Sequence, residues 1–154
     1  MIAITGAGEY LDIIRPYDEI LLNKLKDDPY VVCFPTAAGL ESNERIQYWL
    51  DLGDDHFSKL NVNHKSIRAL NVDDYNKPET LAEIEKANFV YFSGGNPNHL
   101  YETLSSSLAW EKLLTIHNSG GILAGCSAGA MIMGEKMNKG KGFGFFKNSM
   151  VLPH

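Results

Sequence analysis

Residues Gly125-Cys126-Ser127-Ala128-Gly129 place a serine with a glycine two positions away on either side. This G-x-S-x-G spacing is that of a nucleophile elbow, in which a strand turns sharply into a helix and the serine hydroxyl is lifted clear of the sheet. Bulky side chains at the two flanking positions would collide inside such a turn. A helix starting directly after Ser127 adds free backbone N–H groups and a favourable dipole. The pattern predicts a nucleophilic serine, with a tight strand-to-helix turn of no chemistry as the alternative. Cys126 is a rival nucleophile by residue type. It stands one residue off the centre of the turn, so its side chain is expected inside the fold as a core thiol. A second cluster, Ser93-Gly94-Gly95-Asn96, suits close approach of backbone to a ligand, because glycine carries no side chain. A plain tight connection is again the alternative.

These clusters need elements to hold them. Short apolar runs alternate with longer amphipathic stretches, the pattern of an α/β domain with a parallel sheet. Strands are predicted at Ile2-Ala3-Ile4-Thr5, Tyr30 to Phe34, Phe89 to Phe92 and Ile122 to Ala124, with a weaker candidate at Ser66 to Leu70. Helices are predicted from Arg15 through Leu25, over Asn43 to Leu52, Thr80 to Lys86, Pro97 to about Leu104 and Leu108 to His117. Asn96 fits the cap of the fourth of these, with Pro97 at its first position. Asp54-Asp55-His56 reads as a solvated turn. Gly6-Ala7-Gly8, Ser93 to Asn96 and Gly125 to Ala130 all fall at the carboxyl ends of strands, where ligands bind in doubly wound sheets.

Composition bounds the rest. At 154 residues the chain reads as one domain, and 44% apolar against 21% charged residues is ordinary globular composition. A net charge of −5 argues against a nucleic-acid backbone or an anionic membrane as the main partner. Two cysteines, each inside an apolar run, read as reduced thiols rather than a disulfide framework. No basic-then-apolar leader opens the sequence and no apolar run approaches membrane-spanning length, so a cytoplasmic protein is the expectation.

The residues also carry a family resemblance. The elbow Gly125-Cys126-Ser127-Ala128-Gly129-Ala130, the upstream Phe92-Ser93-Gly94-Gly95-Asn96 followed by Leu100, and the terminal Pro153-His154 resemble peptidase family S51 in type and order. That family contains the α-aspartyl dipeptidases (peptidase E) and the cyanophycinases. Thr5-Gly6-Ala7-Gly8-Glu9 and Phe34-Pro35-Thr36-Ala37-Ala38 are similar to it as well. The resemblance implies a flavodoxin-like, doubly wound, mostly parallel sheet akin to class I glutamine amidotransferases. It implies a cofactor-free serine peptidase acting on short peptides, foremost dipeptides with N-terminal aspartate.

Ser127 would be the nucleophile and His154 the general base. The oxyanion would rest on the N–H groups of Ala128 and Gly95, with Gly94 and Asn96 bordering the substrate. For the carboxylate that orients the base, Glu135 resembles a glutamate of some members. Peptidase E uses an aspartate further downstream, and no Asp follows Ser127 here. A solvated surface charge is the alternative for Glu135. Family members run past the Pro-His position, so residues 1–154 would form a single domain lacking the C-terminal part of the family fold. A shortened, inactive domain serving as a binding or oligomerisation module is the second reading. A homodimer is compatible with it, since a shortened fold would expose a sheet edge.

Three decoys accompany these signals. Lys141-Gly142-Phe143-Gly144-Phe145-Phe146 resembles an RNA-recognition signature whose aromatics stack bases. Its last aromatic position holds Asn148, only six residues follow, and the chain is acidic, so no nucleic-acid partner is expected. Gly6-x-Gly8 lacks the third glycine of a dinucleotide fingerprint. The five histidines show no paired metal-ligand spacing, and His99 reads as a surface residue near the Gly94-Gly95 loop, with substrate contact as the alternative.

Overall fold

The computed structural model describes residues 1–153. In chain order the elements are β1 (Ile2–Thr5), α1 (Arg15–Leu22), β2 (Tyr30–Phe34), a 3₁₀ turn (Thr36–Ala38), α2 (Asn43–Lys59), β3 (Asn63–Ser66), α3 (Val72–Asn76), α4 (Pro78–Lys86), β4 (Phe89–Phe92), α5 (Pro97–Ser105), α6 (Ala109–Asn118), β5 (Ile122–Cys126) and α7 (Ala128–Met131). A smaller unit follows, made of β6 (Gly134–Met137), β7 (Gly140–Lys141) and β8 (Phe146–Met150).

Strands β1 to β5 form one all-parallel sheet in the order β1-β5-β4-β2-β3. The three central strands are continuous apolar runs because helices cover both of their faces. Side chains alternate between those faces with the strand period of two. Val32, Phe34, Val90, Phe92 and Leu123 join Ile84, Leu100, Leu104 and Leu113 of α4 to α6 in one core. Val31, Cys33, Phe89, Tyr91, Ile122 and Cys126 join Leu22 of α1 and Phe57 of α2 in the other. This is the expected doubly wound α/β sheet. Edge strand β1 is covered less completely, and Ile4 is 40% exposed. A mostly apolar groove of about 650 Å³ runs between this edge and α1, lined by Ile2, Ile4, Ile13, Tyr17 and Ile20 among others.

Two local expectations are corrected. The third strand spans Asn63–Ser66 instead of Ser66 to Leu70. Its side chains are alternately exposed and half-buried, so its sequence carries no apolar run to mark it. Helix α2 continues past Leu52 to Lys59, so Asp54-Asp55-His56 is helical and not a solvated turn. Gly53, Phe57 and His56 lie on its inward side. His56 is fully buried and its Nε2 lies 2.8 Å from Asp18 Oδ2 of α1. A buried histidine with a partner on another helix looks, in sequence, like any polar residue in a charged run.

The aromatics of the RNA-like segment are packed against helices. Phe143 stacks on Trp110 with ring centroids 3.5 Å apart and also meets Tyr101 at 4.7 Å. Phe145 meets Trp110 edge-on at 6.0 Å. Among the described residues no helix is long and apolar enough to cross a membrane.

Candidate active site

Strand β5 ends at Cys126, and Ser127 turns the chain directly into α7 with φ 50° and ψ −109°. A positive φ at a non-glycine residue costs of order 1–3 kcal/mol and persists only where the surroundings enforce it. Here they do. A Cβ at Gly125 would lie 2.2 Å from the Gly129 carbonyl oxygen, and one at Gly129 would lie 2.2 Å from the Phe92 carbonyl oxygen. Both glycines are therefore required by close backbone packing around the turn. The Ser127 N–H donates to the Thr5 carbonyl at 3.1 Å, which ties the elbow to the end of β1.

Ser127 is half-buried and opens on a cleft of about 240 Å³, lined by Ala7, Glu9, Glu41, Arg45, Trp49, Gly94 and Gly95. A Cβ at Gly94 would sit 3.4 Å from Ser127 Cβ and 3.7 Å from its Oγ, so this loop lies beside the hydroxyl. Gly95 has φ +139°, and a Cβ there would lie 2.4 Å from the Ala37 carbonyl group. Asn96 N–H donates to the Ala37 carbonyl at 2.7 Å, which fixes the loop to the 3₁₀ turn. Among the described residues neither Gly95 N–H nor Ala128 N–H has an acceptor. The Gly94 N–H is committed, donating to Glu9 Oε1 at 3.0 Å.

Glu9 is a cleft residue that sequence reading missed. It is 8% exposed, lines the cleft, and its second oxygen accepts the Cys126 thiol at 2.9 Å. In the loop that carries it, Gly8 takes φ +88°, open to glycine, while Tyr10 is held at a strained φ of +62°. The Tyr10 ring anchors that loop by packing on Tyr91, centroids 4.8 Å apart. The available signal was an acidic residue directly after a Gly-x-Gly turn at a strand end. Arg45 and Trp49, on the helix predicted over Asn43 to Leu52, were not foreseen at the cleft. The Arg45 guanidinium lies over the Trp49 ring at 4.9 Å, with its Nε 3.5 Å from Glu41 Oε2.

The other expected site residues are placed as follows. Cys126 is wholly buried, and burial together with the Glu9 carboxylate pushes its thiol up to about 12, far from nucleophilic thiolate. Asn96 Oδ1 accepts from the N–H groups of Asn98 and His99 at 3.0 and 3.1 Å, so it caps α5. His99 Nε2 lies 2.8 Å from the Leu70 carbonyl oxygen. Glu135 is half-buried on β6, its carboxylate accepting the Asn148 N–H at 2.6 Å, and it does not line the Ser127 cleft. His154 lies outside the described residues. Its neighbour Pro153 packs on Gly6, where a Cβ would lie 2.2 Å from the Pro153 carbonyl oxygen.

A doubly wound parallel sheet with a serine on a strained strand-to-helix turn and a glycine loop beside its hydroxyl has the geometry of a nucleophile elbow. The sequence model of peptidase family S51 matches residues 1–148, and the chain belongs to that family. Among solved structures, it is similar to a peptidase from an acI-B1 Actinobacterium, with 34% identity and a TM-score of 0.93 over 99% of this chain and 67% of that one. It shares the fold of a putative peptidase E protein from Listeria monocytogenes EGD-e, with 19% identity and a TM-score of 0.61 over 86% of this chain and 60% of that one. The chain thus spans about two thirds of the length of these peptidases. No curated protein matches it.

Proposed function

We propose that the chain is a serine-type exopeptidase that hydrolyses short peptides, dipeptides with N-terminal aspartate foremost. The observation that carries this reading is Ser127 itself, held at φ 50° on a strand-to-helix turn and facing a cleft bordered by Gly94 and Gly95. Ser127 Oγ attacks the scissile carbonyl carbon while its proton passes to the imidazole of His154. The oxyanion that forms is held by the N–H groups of Ala128 and Gly95, each such donor contributing about 2.7–4 kcal/mol to lowering the barrier. The C–N bond then breaks, the imidazolium protonates the leaving amine, and water hydrolyses the acyl-enzyme by the same steps in reverse.

The role of His154 is supported by the course of the chain before it. The Pro153 carbonyl packs on Gly6, directly after Thr5, whose own carbonyl receives the Ser127 N–H. Glu135 is assigned as the carboxylate that orients the base. It stands on β6 beside β8, the strand that leads towards Pro153.

The test is labelling by a fluorophosphonate, together with release of aspartate from Asp-Leu, each compared with a Ser127→Ala control. Labelling at Ser127 and turnover that Ser127→Ala abolishes are expected. A folded chain that shows neither would instead be a non-catalytic binding module.

A further inference from the structure

We propose that Glu9 is the seat of the substrate's free α-ammonium group, so that the Ser127 cleft takes peptides by their amino terminus. The inference rests on the peptidase reading of Ser127 and specifies its substrate class.

Several observations single out Glu9. It is more than nine-tenths buried yet lines the cleft. Its oxygens accept from two neutral donors, the Gly94 amide and the Cys126 thiol, and among the described residues it ion-pairs with no Lys, Arg or His. Arg45, the cleft's other charged side chain of opposite sign, already has Glu41. A carboxylate removed from water without a cation is costly, and an entering cation compensates it. Two bonds leave lone pairs free on its oxygens, since a carboxylate accepts at about four positions. The protein also holds Tyr10, the residue after Glu9, at a positive φ of 62°, a conformation costly for a non-glycine residue.

Spacing selects an ammonium over other cations. A Cβ placed on Gly94 would lie 2.8 Å from Glu9 Oε1 and 3.4 Å from Ser127 Cβ, so acid and nucleophile flank one glycine. In an amino-terminal residue the ammonium nitrogen and the carbonyl carbon are separated by one Cα, about 2.5 Å apart. Only when the scissile bond follows the first residue does a peptide bring both groups to so compact a pair. A metal ion is not favoured, because no group of three or more His, Cys, Asp or Glu side chains able to hold one occurs among the described residues.

The experiment titrates Ser127→Ala calorimetrically with Asp-Leu and with succinyl-Leu, which lacks the amine and adds no bulk. Asp-Leu should bind more tightly by roughly 10- to 150-fold, the span of a hydrogen bond to a charged group. In Ser127→Ala/Glu9→Gln that preference should collapse through loss of Asp-Leu affinity alone, with the fold checked by thermal melting. Equal binding of the two ligands, binding of neither, or an equal loss of both on Glu9→Gln would overturn the proposal. The comparison of ligands needs no variant at position 9, so misfolding cannot mimic the result. Binding needs no nucleophile either. A chain that resists fluorophosphonate but prefers the amine would sink the serine reading alone.

Discussion

The Cys126 thiol donates to Glu9 Oε2 at 2.9 Å, while the next residue, Ser127, faces the cleft that Glu9 lines. Adjacent residues thus serve opposite sides of one turn, one fixing an acidic loop and the other presenting a hydroxyl. Burial and the neighbouring carboxylate keep Cys126 as a thiol, and burial likewise pushes the Cys33 thiol up. Neither cysteine should react with iodoacetamide at pH 8 in the folded chain, whereas both should react in urea. The rate of alkylation, followed by mass spectrometry, checks this. Rapid native labelling at Cys126 would contradict the burial of that thiol.

Gly129→Ala should destabilise the fold by about 1–3 kcal/mol, the range for overpacking. The added methyl would meet the Phe92 carbonyl oxygen at 2.2 Å, and that contact is between two pieces of backbone with no flexible side chain to yield. A lowered urea midpoint at unchanged slope is the expected readout. Fluorophosphonate labelling should fall with it, because the same contact sets the elbow.

His56→Ala should cost at least about 1–3 kcal/mol, since Asp18, 3% exposed, then loses its buried partner. Lys59→Ala, on the same helix, removes the Asp55 pair, whose side chains are about half exposed, and should cost less than about 1 kcal/mol. Equal urea midpoints for the two variants would count against the importance of the His56–Asp18 contact.

Acid stability should depend on Tyr30. Its hydroxyl donates to Glu83 at 2.6 Å and, with help from Lys86 and Lys65, holds that carboxyl at about 2 against an ordinary 4.5. The folded value is the lower one, so the contribution is complete above pH 4.5 and is lost as the pH falls through about 2. Tyr30→Phe should therefore melt below the parent at pH 6, with the gap closing towards pH 2. A gap unchanged between those pH values would refute the linkage.

The legible parts of this protein were those encoded by neighbours in sequence. The central strands stood out because both of their faces are buried, and the Asn96 cap and Pro97 start of α5 are local chemistry. The elbow glycines could be read at 125 and 129 because their crowding is imposed within one turn. Strand β3 was misplaced because an edge strand needs no apolar run, and the far end of α2 was missed because His56 finds its Asp18 partner on another helix.

The sequence alone determined the doubly wound class, the family and the candidate serine, since each depends on residue type at short spacing. Only the tertiary structure decided which side chains surround that serine. Glu9 comes from the β1–α1 loop, Arg45 and Trp49 from α2, and Gly94 from the end of β4, distant in the chain and adjacent in the cleft. Their convergence follows from parallel strands that all end on one side of the sheet. No local pattern records which loops such a crossing order will make neighbours.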